Sequence, residues 1–87
     1  MSLSTNITLK TRTSHTNPKK ELESVVSNEW DAFKVVPVSV FKTDKGTTTT
    51  FQLTIFELSE EESRDIRKAI QKEAAANGFE IEYVSVM

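Results

Sequence analysis

Few side chains in this chain are of a type and spacing that could do chemistry. His15 is the only histidine. It stands in a Ser/Thr-rich connection ahead of Pro18. A general base needs a partner that fixes its geometry, and no such partner can be argued from the neighbouring residues, so His15 reads as an exposed loop histidine. The chain has no cysteine, which excludes disulfides, thiolate metal ligands and cysteine nucleophiles together. Glu60, Glu61, Glu62 and Asp65 form an acidic cluster, and Glu61 and Asp65, one helical turn apart, could face a hard cation. The same residues make a Ser59-x-x-Glu62 capping box and complement a helix dipole, which accounts for them without a metal. Arg64, Arg67, Lys68 and Lys72 form a basic stripe that could meet phosphate. Glu60 and Glu61 precede Arg64 by four and three positions, however, the spacing of a solvated, ion-paired helix face. The only glycines, Gly46 and Gly78, are too far apart to build a glycine-rich anion loop. No catalytic residue, metal or cofactor is therefore expected, and the chain does not read as an enzyme.

Composition points the same way. With 87 residues, 37% hydrophobic and 28% charged, the chain reads as one soluble globular domain spanning residues 1–87. A domain of this size buries roughly 60–65% of its unfolded surface, enough for a thin core. No apolar run approaches the roughly 18 residues needed to span a bilayer. The first residues have neither a basic start nor a hydrophobic stretch, so no secretory signal is expected. The expectation is a cytoplasmic protein with no membrane association. Its net charge of −2 is uneven: Lys10, Arg12, Lys19 and Lys20 put +4 in the first twenty residues, leaving −6 for the rest. Such an arm on an acidic body can contact acidic partners, although four cations in this length also serve as plain solvating charge.

These residues must be positioned by a small set of elements. Leu3, Thr5, Ile7, Leu9 and Thr11 alternate with Ser4, Asn6, Thr8, Lys10 and Arg12, the period of a strand with one apolar face. The competing expectation for residues 1–16 is a partly flexible arm. Asn17-Pro18 is a helix entry, since Asn can cap and Pro suits the first helical position. Leu22, Val25, Val26, Trp30 and Phe33 follow at helical spacings, so Trp30 is expected in the core. Val35 to Thr43 reads as a strand, and Pro37, which cannot donate to a ladder, puts it at a sheet edge. Thr43-Asp44-Lys45-Gly46 is a hairpin turn with Gly supplying positive φ. Thr47 to Leu58 is the longest strand, with Phe51, Leu53 and Ile55 on one face. Ser59 then caps a helix whose Ile66, Ala69, Ile70 and Ala74 form a narrow apolar stripe, and Asn77-Gly78 ends it. Phe79 to Met87 is the last strand, with Glu80 and Glu82 on one face discouraging edge pairing.

The order β-α-β-β-α-β predicts an α+β fold of the ferredoxin-like, split β-α-β type: an antiparallel four-stranded sheet with two helices on one face. The first and third strands are then central and the others are edges. If the first segment were not a strand, an α-β-β-α-β domain with a frayed arm would remain.

The sheet face opposite the helices is then the surface most open to partners. With Phe51, Leu53 and Ile55 turned inward, Thr50, Gln52, Thr54 and Phe56 face out, and Lys10 and Arg12 join them. On the edge strand the same phase turns Val36, Val38 and Val40 inward and Phe41 outward. Phe41, Thr54 and Phe56, with Lys10 and Arg12 at the rim, are the candidate binding residues. The expected role is non-enzymatic contact with a protein partner, or with a second copy as a homodimer. The alternative is single-stranded nucleic acid, with the aromatics stacking bases and the cations meeting phosphates. The sequence names no partner, oligomeric state or process.

Overall fold

A computed structural model describes residues 2–87 of the chain. The elements are β1 (Leu3–Thr13), α1 (Pro18–Ser27), β2 (Phe33–Thr43), β3 (Gly46–Leu58), α2 (Glu60–Ala76) and β4 (Phe79–Val86). The sheet runs β2-β3-β1-β4, with antiparallel pairing throughout. This is the expected ferredoxin-like arrangement, with β1 and β3 central and Pro37 and Glu80 on edge strands. The segment from Leu3 to Thr13 is thus a central strand.

One face of each central strand meets the helices. Ile7 and Leu9 from β1 and Phe51, Leu53 and Ile55 from β3 are sealed against Leu22, Val25 and Val26 of α1 and Ile66, Ile70 and Ala74 of α2. Asn17 caps α1 by accepting from the Lys20 N–H at 3.3 Å, with Pro18 at the first helical position. Ser59 caps α2 reciprocally: its Oγ accepts from the Glu62 N–H at 3.1 Å while the Ser59 N–H donates to Glu62 Oε1 at 3.0 Å.

The structure departs from the sequence periodicity after α1. The helix ends at Ser27 instead of continuing to Phe33, and the Trp30 N–H bonds back to Val26 O at 2.9 Å in a closing turn. Trp30 still packs into the core from this loop, whereas Phe33 opens β2 opposite Ile55. Apolar spacing registers that a side chain is buried, and a loop tryptophan satisfies it as well as a helical one.

A second departure is in β2. Pairing runs Val35–Leu53, Val36–Gln52, Pro37–Phe51 and then Ser39–Thr50, so Val38 is an extra residue in a β-bulge. Val36, Val38 and Val40 are therefore not a buried row. Val36 shares the open face with Gln52, and all three valines are exposed, while Val35 is the valine that enters the core. Val40 lies opposite buried Thr49, but α1 has only ten residues, about 15 Å. The outer half of β2 is therefore left uncovered on this side, while Thr49 on β3 stays buried. Pro37 fits because of its phase. The Phe56 N–H donates to Ala32 O at 2.9 Å, and bonded residues alternate along an antiparallel strand, so position 36 bonds inward while Pro37 turns its nitrogen to the free edge.

Four threonines line the helix-facing side of the central pair. Thr13 Oγ1 donates to Gly78 O at 2.8 Å, and Thr5 Oγ1 lies 3.3 Å from Ser63 Oγ. Thr11 and Thr49, cross-strand partners, are buried with no hydrogen bond to either hydroxyl. Because a buried unsatisfied hydroxyl costs about 1–3 kcal/mol and valine has nearly the same shape, the Thr11→Val/Thr49→Val double variant should be more stable by about 1–2 kcal/mol. Urea unfolding should show a higher midpoint at unchanged slope. A lower midpoint would mean that the two hydroxyls hold each other or an internal water.

Candidate functional site

The helix-free face is organised in rows by the strand register. Phe41, Thr48, Arg12 and Glu80 form one row across β2-β3-β1-β4, and Ser39, Thr50, Lys10 and Tyr83 form the next. Val36, Gln52, Thr8 and Ser85 follow, then Lys34, Thr54 and Asn6. With strands about 4.8 Å apart, Phe41 and Tyr83 stand on opposite edges of the first two rows, about 15 Å apart across the sheet. Both are exposed, at 65% and 54%. Between them lies a floor of Thr48, Thr50, Lys10 and Arg12.

Of the expected binding residues, Lys10, Arg12 and Phe41 come together here, and Thr54 and Phe56 do not. Phe56 lies eight positions along β3 from Thr48, the partner of Phe41, so the two phenylalanines are about 26 Å apart and cannot act on one small ligand. Phe56 is exposed beside a second bulge: β1 pairing jumps from Thr5–Ile55 to Leu3–Leu58, and Glu57 takes φ 57°. That left-handed residue lets both Ile55 and Leu58 face the core, leaving Phe56 outside. Thr54 is half-buried, and its hydroxyl donates to Asn6 Oδ1 at 2.9 Å.

Arg12 is not a free rim cation. Its Nε and Nη2 donate to Glu80 Oε2 at 3.2 and 2.6 Å. That hydrogen bond, and then the Glu80 charge, raise the guanidinium pKa above its ordinary value, so Arg12 is cationic at every physiological pH. The pair is solvent-accessible and contributes little to stability. Its effect is to tie the guanidinium to the neighbouring strand and offset its charge, and among the described residues Lys10 has no ion-pair partner.

Tyr83 was not expected on this face. Simple alternation from Phe79 turns Tyr83 inward, but pairing shifts between Lys10–Tyr83 and Thr11–Ile81, and Glu82 is the extra residue. A signal was present: Phe79 and Ile81 share one phase, Val84 and Val86 the other, and both pairs pack on the core. Two apolar phases in one strand require a flip between them. The same bulge separates Glu82 from the regular face of Glu80.

His15 is not a simple exposed loop residue. Its Nε2 lies 2.7 Å from Asn77 O and its ring packs on Phe79 with centroids 5.4 Å apart. It ties the β1–α1 connection to the turn between α2 and β4, a structural task. Among the described residues, no group of three or more histidine or carboxylate side chains is placed to hold a metal ion. Among the described residues, no helix is long and apolar enough to cross a membrane.

The fold and this face define a small ferredoxin-like α+β domain with one uncovered sheet surface carrying two edge aromatics. No protein-family model matches the chain, and no curated protein matches it. Among solved structures it is similar to the crystal structure of a hydantoinase/carbamoylase family amidase from Burkholderia ambifaria, with 15% sequence identity and a TM-score of 0.41. That likeness covers 98% of this chain and 27% of the amidase chain, so the domain spans about a quarter of that protein's length.

Proposed function

We propose that the domain is a non-catalytic protein-binding module, with a regulatory or accessory role, that engages its partner through the open sheet face. The observation that supports this most is the exposure of Phe41 and Tyr83 on either side of Lys10 on a surface no helix covers. Aromatic side chains bring large contact area at low entropic cost, and they dominate binding energy where they can be desolvated. The threonine floor offers hydroxyls that donate or accept, suited to a polar backbone or side chains. The partner is another protein segment or a second copy of the chain.

The test is affinity for peptides selected from a displayed library against the folded domain. Phe41→Ala/Tyr83→Ala should weaken the selected peptides by at least about tenfold, the loss expected when two aromatic anchors are truncated. Phe56→Ala should change affinity less than about twofold, and all variants should unfold at the wild-type midpoint. Full binding by a folded Phe41→Ala/Tyr83→Ala variant would reject the proposal.

Single-stranded nucleic acid is the second reading, favoured by the same two rings beside Lys10. It requires affinity that falls steeply with salt and with loss of Lys10. The Arg12–Glu80 pair weighs against it, because it places a carboxylate in the row where phosphates would lie.

A further inference from the structure

The turn from α2 into β4 holds a bond that the chain can modify by itself. Of the four asparagines, only Asn77 precedes a glycine; Asn6, Asn17 and Asn28 precede Ile7, Pro18 and Glu29. An asparagine amide can be lost to its own backbone when the following nitrogen attacks Cγ. Glycine, with no Cβ, leaves that nitrogen unshielded. Pro18 has no N–H to give up, and the side chains of Ile7 and Glu29 crowd the attack. Asn77 and Gly78 are both exposed, so water reaches them freely. Burial does nothing to protect this bond.

The hydrogen bonds around it do. Asn77 Nδ2 donates to Glu73 O at 2.7 Å, which folds the side chain back over the last turn of α2, toward the helix N-terminus. The Gly78 N–H lies on the far side of the Asn77 Cα and donates to Ala75 O at 3.4 Å. Asn77 has ψ 25°, and ring closure needs that angle to rotate until the Gly78 nitrogen faces Cγ. Because the peptide bond is planar, this rotation swings the whole Asn77–Gly78 plane. The plane is tied at both ends, its nitrogen to Ala75 O and its oxygen to His15 Nε2 at 2.7 Å. His15 is in turn seated on Phe79, with ring centroids 5.4 Å apart. The reactive conformer therefore needs the Glu73, Ala75 and His15 bonds broken together.

We infer that Asn77–Gly78 is a self-modification site that folding holds shut, with His15 as its latch. The folded turn keeps the amide, and each opening of the turn exposes it to irreversible loss. In the open turn the Gly78 nitrogen gives up its proton and bonds to Asn77 Cγ. The Cγ–Nδ2 bond breaks, and ammonia leaves with that proton. Water then opens the cyclic imide at either carbonyl, giving aspartate or isoaspartate at position 77. One water is consumed and one ammonia released, with no change of oxidation state. Either product loses the donor to Glu73 O and sets a carboxylate at the negative end of α2. Isoaspartate also lengthens the main chain just where Phe79 pairs with Thr13. The modified turn holds less firmly, so the product records the time that the turn has spent open.

Incubation of the whole chain at mildly alkaline pH, folded in buffer and unfolded in urea, tests this, with conversion at position 77 followed by peptide mapping and mass detection. The folded wild type should convert at least about tenfold more slowly than the unfolded chain, because only the open fraction reacts. His15→Ala, its folding confirmed by circular dichroism, should convert several-fold faster than wild type when folded and at the same rate when unfolded. In that variant the Gly78 amide should exchange with solvent faster while the amides of β3 exchange as in wild type. That contrast separates loss of the latch from a general loss of stability. Asn77→Asp, which starts from one of the products, should unfold at a lower urea midpoint than wild type. A folded wild type that converts at the unfolded rate would overturn the inference. So would a folded His15→Ala variant that converts at the wild-type rate, or one whose β3 amides quicken in step with Gly78.

Discussion

Phe51→Ala should cost the domain about 4 kcal/mol and lower its unfolding midpoint sharply. Phe51 is fully buried in the longest strand, with Leu9 opposite it on β1 and Pro37 on β2. Truncating a buried phenylalanine loses its transfer free energy and leaves a cavity, typically about 3–5 kcal/mol together. The surrounding structure has little freedom to collapse into that space, because Phe51 sits between two sheet partners and beneath the helical layer. Domains of this length are stable by about 4–13 kcal/mol, so the loss consumes a large share of the total. Chemical denaturation followed by far-ultraviolet circular dichroism measures it directly. A loss below about 1 kcal/mol would show that the helices are not packed on the sheet as described.

Gly46→Ala is the second large effect, and its cause is backbone. Gly46 has φ 124°, a conformation L side chains rarely adopt, and a Cβ there would lie 2.6 Å from the Thr13 carbonyl oxygen. Relief would need the hairpin to separate from the end of β1, where Thr13 pairs with Thr47. The combination should cost about 3 kcal/mol and lower Tm by roughly 15 °C in a domain of this size. Gly78→Ala makes an instructive control. Its φ is 86°, but the nearest atom is His15 Nε2 at 3.0 Å, part of a side chain that can turn away. Its cost should be smaller, and calorimetry of the two variants should rank them in that order. The reverse order would place the main constraint at the α2–β4 turn.

The fold was largely legible because several local signals agreed with one topology. Alternation in Leu3–Thr13, the Asn17-Pro18 entry, the Ser59–Glu62 box and the Asn77-Gly78 stop each marked an element boundary or face. Pro37 and Glu80 marked edges. The site was only partly legible, and the reason is specific. Each edge strand contains one extra residue, Val38 in β2 and Glu82 in β4, and β3 bends at Glu57. A strand's side chains have a period of two, so one inserted residue reverses every assignment beyond it. Simple alternation therefore turns Val36 and Tyr83 inward, whereas the bulges put both on the open face. Alternation turns Phe41 outward, as the structure has it, but its distance from Phe56 depends on a register that period alone does not supply. Alternation also turns Arg12 outward, yet its pairing with Glu80 follows only from the β1–β4 register.

On the proposed function, a protein partner binds the open sheet face. The most direct measurement is an amide-shift titration of the ¹⁵N-labelled domain. One arm uses a peptide selected on the folded domain, and the other uses mixed-sequence single-stranded RNA and DNA at low and physiological salt. Peptide-induced shifts should concentrate at Lys10, Phe41, Thr50 and Tyr83 and vanish in the Phe41→Ala/Tyr83→Ala variant, and nucleic acid should leave the spectrum unchanged. Peptide shifts confined to the helix side would contradict it. Salt-sensitive nucleic-acid shifts at those four residues would replace the protein partner with a nucleic acid.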